Sequence, residues 1–116
     1  MFNNMKQLDT ELLVGYIDNL GVDVVRQMLA LYIEQSQIYL DDIAETVENE
    51  NQSGWQEACH KMKGAAGSVG LSVVHQQLVQ VEKSTDEWPR KREYLALLKH
   101  ENQLSITTFE TWLDSQ

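Results

Sequence analysis

The sequence predicts an all-α fold, an antiparallel four-helix bundle with a short N-terminal helix capping one end. Three observations carry this expectation. Apolar residues recur at steps of three and four over nearly the whole chain. The only proline is Pro89, and no stretch shows the strict alternation of a half-buried strand. The connections marked by turn residues are short, which makes consecutive helices antiparallel neighbours.

Each element has its own signal. Asp9 or Thr10 can cap a first helix over about 9–20, which Gly21 ends. A long second helix, about 22–49, has the stripe Val25, Met28/Leu29, Tyr32, Tyr39/Leu40, Ile43 and Val47, with Ser36 as a polar gap. "NENQSG" is a turn, and Ser53 is a good N-cap for a third helix over about 54–69. A fourth is expected over about 72–84. "STDEWP" reads as a loop, and a last helix over about 90–113 sets Leu95, Leu98, Phe109 and Leu113 along one side.

The chain has 116 residues, enough for one domain, 1–116, with a core that needs no staples. Its hydrophobic fraction of 42% and charged fraction of 23% describe a globular chain. The single Cys59 allows no disulfide within a monomer, and one Cys with three scattered His makes no zinc spacing. This fits a reducing, cytoplasmic setting. No apolar run approaches the roughly 18 residues of a membrane span. "MFNNMKQLDTELL" lacks the basic start and apolar centre of a signal peptide. The leading Met fits either a free-standing protein or a domain of a longer chain.

The net charge is −9, from 18 acidic and 9 basic residues, which argues against nucleic acid as a partner. Between Arg26 and Lys61 there is no Lys or Arg, while Asp41, Asp42, Glu45, Glu48, Glu50 and Glu57 fall in the gap. A solvated acidic face explains that run most simply.

The anomaly is "CHKMKGAAGSVGL", Cys59 to Leu71. Its apolar spacing is helical, yet it carries Gly64, Gly67 and Gly70, and an interior Gly costs about 1 kcal/mol relative to Ala. On a helical wheel Trp55, Ala58/Cys59, Met62, Ala65/Ala66 and Val69 share the core face. His60 falls outside it, with Ser53, Gln56, Lys63, Gly64 and Gly67. A satisfied core histidine therefore fits poorly. Lys63 and Gly64 neighbour His60 at i+3 and i+4. The bare glycine surface leaves two uses open, close helix packing or close approach of another macromolecule. Gly70 also suits a helix C-cap.

The fourth helix carries a second anomaly. Glu82 lies beside Val81, at the edge of the stripe Leu71, Val74, Leu78 and Val81. Burying a carboxylate without a partner costs several kcal/mol. A bond to the Nδ1–H of His60 would fix the tautomer and leave Nε2 as a nucleophile. Snorkelling to water is the alternative.

"HKMKGAAGSVG", His60 to Gly70, resembles the signature of histidine-containing phosphotransfer (HPt) domains. That signature is a His, a Lys three residues on, a Gly beside it, and a second Gly near the helix end. The likeness is greatest to the HPt domains that end hybrid histidine kinases. The motif covers about a tenth of the chain, while the helix pattern agrees over nearly all of it.

The resemblance implies that His60 is phosphorylated and that Lys63 helps neutralise the phosphoryl group. It implies that Gly64 lets a partner's active site reach the imidazole, and the bare surface that Gly67 shares with it favours the same access. Glu82 stands where family members commonly carry a Gln or Glu that bonds the other histidine nitrogen. Lys61 is electrostatic background. The implied role is a relay intermediate in bacterial two-component signalling, a phosphoryl carrier with no kinase activity of its own. Its partners would be the receiver domain of a hybrid histidine kinase and that of a response regulator. It would need no cofactor, the Mg²⁺ belonging to the partner receiver. Neither nucleic acid nor membrane is expected as a partner. A monomer is expected, since relay needs no dimer interface. Outside the motif the chain diverges, so the identity of the partners does not carry over.

Three rival readings fit the residues less well. A helical adaptor that binds a receiver or kinase without phosphate would not need His60, Lys63 and Gly64 together. Cys59 as a nucleophile beside His60 is improbable, because adjacent helix residues point about 100° apart. A metal-binding bundle lacks the Glu-x-x-His pairs of di-iron proteins.

Overall fold

A computed structural model describes residues 6–116 of the chain. Residues 1–5, part of the stretch read for a leader signal, lie outside the described residues. The elements are α1 (Thr10–Leu20), α2 (Val22–Glu48), α3 (Gln52–Ser68), α4 (Ser72–Val81) and α5 (Trp88–Asp114). Among the described residues there is no strand, only an isolated antiparallel bridge between Leu8 and Leu71.

Helices α2 to α5 close a ring of contacts: α2 on α3, α3 on α4, α4 on α5, and α5 back on α2. This is the expected four-helix bundle. Helix α1 packs on α2, and the Tyr16 hydroxyl donates to the Ser68 carbonyl at 2.9 Å. The Asp9 N–H donates to the Gly70 carbonyl at 2.8 Å, so the N-terminal segment closes the α3–α4 end of the bundle.

The core follows the predicted stripes. Val25, Leu29, Tyr32, Leu40, Ile43 and Val47 of α2 are buried, as are Trp55, Cys59, Met62 and Ala66 of α3. The Ser36 gap is filled by a polar layer. The Tyr32 hydroxyl donates to Asn102 Oδ1 at 2.7 Å, and Asn102 Nδ2 donates to the Ser36 hydroxyl at 3.1 Å. Each partner in that layer is satisfied, which keeps its burial inexpensive.

Boundaries differ by two residues or more in three places. Helix α3 starts at Gln52, and its cap is Asn51, whose Oδ1 accepts the Gly54 N–H at 3.0 Å; Ser53 lies inside the first turn. Helix α4 ends at Val81, because the Ser84 N–H closes onto the Val81 carbonyl at 3.0 Å and tightens the last turn. Helix α5 starts at Trp88, with Pro89 in its first turn, where a missing N–H costs nothing.

Candidate functional site

The third and fourth helices build the site together. His60 projects from the outer face of α3, its side chain 69% exposed. Its Nδ1 lies 3.2 Å from Oε1 of Glu82, which caps the C-terminus of α4. The Glu82 side chain is only 9% exposed. A carboxylate can only accept here, so Nδ1 carries the proton and Nε2 of the neutral ring holds the lone pair. The ring geometry sets Nε2 on the side away from Glu82.

Lys63 reaches the same carboxylate oxygen, with its Nζ at 2.9 Å. The ammonium and the imidazole therefore flank one buried anion. Burial pushes the Glu82 carboxyl up, but the hydrogen bond and charge of Lys63, and then those of His60, hold it below its ordinary value. A carboxyl held low in the fold stabilises the protein above its unfolded value, near 4.5, and that stability is lost as pH falls through the folded value. Glu82→Gln should therefore be less stable than wild type at neutral pH, with a gap that narrows below about pH 4.5. Urea unfolding from neutral pH into acid checks this. A gap that does not change with pH would contradict the ionic pairing.

The glycines separate. At Gly64 an added Cβ would meet no atom within 4 Å, so the surface beside His60 is open. Gly67, the other glycine expected to give a partner access, has a neighbour. A Cβ there would lie 2.9 Å from Nδ1 of His75, whose ring fills the space. That nitrogen donates to the Lys63 carbonyl at 3.2 Å, so Gly67 makes room for a brace between α3 and α4. Gly70, at φ 75°, takes the left-handed position just past the cap residue Val69. The Leu71 N–H bonds the Ala66 carbonyl at 3.0 Å and the Gly70 N–H the Gly67 carbonyl at 3.2 Å, a Schellman ending.

The remaining polar residues of the motif are outside this constellation. Lys61 pairs with Glu57 one turn back, at 3.3 Å. Cys59 is fully buried, and burial, with Glu82 adding to it, pushes its thiol up to about 12. It should resist thiol reagents at neutral pH in the native state and react only as the protein unfolds. Labelling across a urea gradient checks this, and rapid native labelling would contradict it. Among the described residues no group of three or more His, Cys, Asp or Glu side chains is placed to hold a metal ion.

Two features escaped the sequence reading. An apolar groove between α2 and α3 is lined by Met28, Leu31, Tyr32, Tyr39, Ala65 and Ser68. Ser68, at a step of four from Gly64, continues the His60–Gly64 row about two turns beyond the histidine. Its signal was Leu31, 57% exposed on a helix whose apolar stripe lies elsewhere. The second is Lys91, 1% exposed, one turn before Leu95 on the buried stripe of α5.

Known proteins resemble this chain in sequence and fold. The chain is 29% identical over 109 residues to the aerobic respiration control sensor protein ArcB of Escherichia coli (strain K12) and to that of Shigella flexneri. The match takes in 91% of the chain but spans only 14% of those sensors' length. The solved histidine-containing phosphotransfer domain of ArcB from Escherichia coli superposes with a TM-score of 0.82 at 27% identity, covering 94% of each chain. Residues 27–113, from early in α2 to the end of α5 and so including His60, Lys63, Gly64 and Glu82, match the model of the Hpt domain family, and the chain belongs to that family.

Proposed function

We propose that this chain relays phosphoryl groups between receiver domains, with His60 as the carrier. The observation that carries this reading is the His60 ring itself. Its Nδ1 is held by a buried carboxylate at 3.2 Å, the side chain is 69% exposed, and the helix surface one turn on is bare at Gly64.

In the forward step the Nε2 lone pair attacks the phosphorus of a receiver's aspartyl phosphate in line. The N–P bond forms as the P–O bond to the aspartate breaks, and the aspartate leaves as a carboxylate. The ring becomes cationic as it is phosphorylated. Glu82, already bonded to Nδ1–H, stabilises that charge where it develops. Lys63, which shares the Glu82 oxygen with the ring, would swing its flexible stem toward the phosphoryl oxygens, at the expense of part of its bond to Glu82. Transfer to a second receiver, that of a response regulator, reverses these steps. Mg²⁺ belongs to the partner, and this chain supplies a positioned nucleophile.

The α2–α3 groove gives the receiver a place to rest. Its lining is apolar and lies one to two turns along α3 from His60, so a docked domain would present its aspartyl phosphate over Nε2. The acidic residues of α2 beyond the groove favour a receiver with a basic rim. The carrier acts in the cytoplasm as a monomer and does not phosphorylate itself from ATP. No described helix is long and apolar enough to cross a membrane.

The test is incubation with a phosphorylated receiver domain. Phosphate should move to this chain in an acid-labile, base-stable form and return when unphosphorylated receiver is added. A complex that forms without transfer would make the chain an adaptor instead.

A further inference from the structure

The carboxylate that orients His60 is itself held from behind. Glu82 lies at the end of α4, where helix carbonyls lack partners within the helix. The Val81 carbonyl accepts the indole N–H of Trp55 at 3.0 Å. The Ser84 carbonyl accepts from Gln52 Nε2 at 2.9 Å. The Lys91 ammonium donates to the Asp86 carbonyl. It also lies 4.5 Å from the centre of the Trp88 ring and 5.8 Å from that of Trp55. The two indoles meet edge to face at 6.4 Å. Donors from α3 and α5 thus grip the chain on both sides of Glu82.

Stability alone does not account for Lys91. An ammonium is expensive to bury, and apolar replacements of buried charges are often neutral or stabilising. What a buried donor adds is one fixed conformation of the segment it bonds. That conformation matters at Glu82. The His60–Glu82 contact of 3.2 Å is already at the long end of an N–H···O bond, so a shift of a few tenths of an ångström breaks it. Lys63, on its flexible stem, could follow such a shift, but the imidazole could not.

We propose that Lys91 and Trp55 are positioning residues for phosphoryl transfer: by fixing the Val81–Asp86 segment they keep Glu82 on His60 Nδ1–H and hold Nε2 as the nucleophile. This rests on the reading of His60 as the phosphoryl carrier.

Lys91→Met keeps the apolar stem and removes the donor. Trp55→Phe keeps an aromatic ring and removes the indole N–H. Phe109→Leu is the control, on the same helix as Lys91 but 18 residues, or about 27 Å, further along. The measurements are the ¹⁵N shifts of the His60 ring above its titration range and the rate of transfer from a phosphorylated receiver. Wild type should show the Nδ1–H tautomer. Both variants should drift toward the Nε2–H form and lose about tenfold in transfer, as misplaced reacting groups do. Phe109→Leu should lose stability with neither change.

An unchanged tautomer in folded Trp55→Phe or Lys91→Met overturns the proposal, and so does an Nε2–H tautomer in wild type. Should Lys91→Met not fold, Trp55→Phe decides alone. The tautomer is read without any transfer. A chain that shows the predicted shifts but accepts no phosphate would sink the relay reading and leave the positioning of His60 standing.

Discussion

A chain carrying His60→Gln should fold as wild type does and accept no phosphoryl group. The side chain is 69% exposed, and among the described residues its one side-chain hydrogen bond is to Glu82. A Gln amide can donate to the same carboxylate, so Glu82 keeps two donors and stability should stay within about 0.5 kcal/mol of wild type. An amide nitrogen has no available lone pair, however, and cannot attack phosphorus. Transfer should fall by about 10³-fold or more, the scale on which removing a nucleophile acts. His75 and His100 remain as internal controls. His75 is half-buried, with Nδ1 committed to the Lys63 carbonyl, and His100 lies on the exposed side of α5. Labelled transfer followed by peptide mapping, with thermal unfolding alongside, reads both halves of the expectation. Label that persists on the variant, or moves to either control histidine, would remove His60 from its assigned role.

The outward direction of His60 was legible because a helix wheel needs only the period and a clear apolar stripe. Trp55, Cys59, Met62 and Ala66 mark that stripe well enough to place everything else on α3. The bundle was legible for the same reason. What a wheel cannot show is which neighbour closes over which part of a face. Gly64 and Gly67 fall on one side of α3, yet the first is open and the second is filled, because the His75 side chain of α4 lies over Gly67 and nothing lies over Gly64. Glu82 stood out as a carboxylate at the edge of an apolar stripe, but the residue opposite it is 22 positions away and belongs to another helix. Lys91 gives no signal in the sequence, because an ammonium on a stripe reads as its polar border. Only the indoles of Trp55 and Trp88 show why it is inside. At the start of α3 two good caps stood close together. Asn51 prevailed because the Glu50 backbone, at φ 50°, and the bond from the Asn51 N–H to the Thr46 carbonyl end the turn at that residue.

Gly64→Leu should separate stability from function in one substitution. Gly64 lies in the interior of α3 and is exposed, and an added Cβ would meet nothing within 4 Å. Replacing an interior Gly with a good helix former on an unobstructed surface should stabilise the fold by about 0.5–1 kcal/mol. The denaturation midpoint should rise with an unchanged slope. Transfer should move the other way. Position 64 is one turn beyond His60 on the same face, and a Leu side chain there covers the approach to Nε2. In-line attack needs the reacting atoms within roughly 3–3.5 Å, so a branched side chain held between the two proteins should slow transfer by about 10²-fold or more. Gly67→Ala is the contrasting case. Its single methyl would lie 2.9 Å from the His75 ring, so it should cost stability, by displacing the ring from the Lys63 carbonyl, rather than block a partner. The two glycines thus predict opposite signs in stability, from a larger substitution at one and the smallest possible at the other. A Gly64→Leu chain that transfers at the wild-type rate would show that the receiver does not approach over this turn, and one that loses stability would mean that the bare surface serves the fold instead.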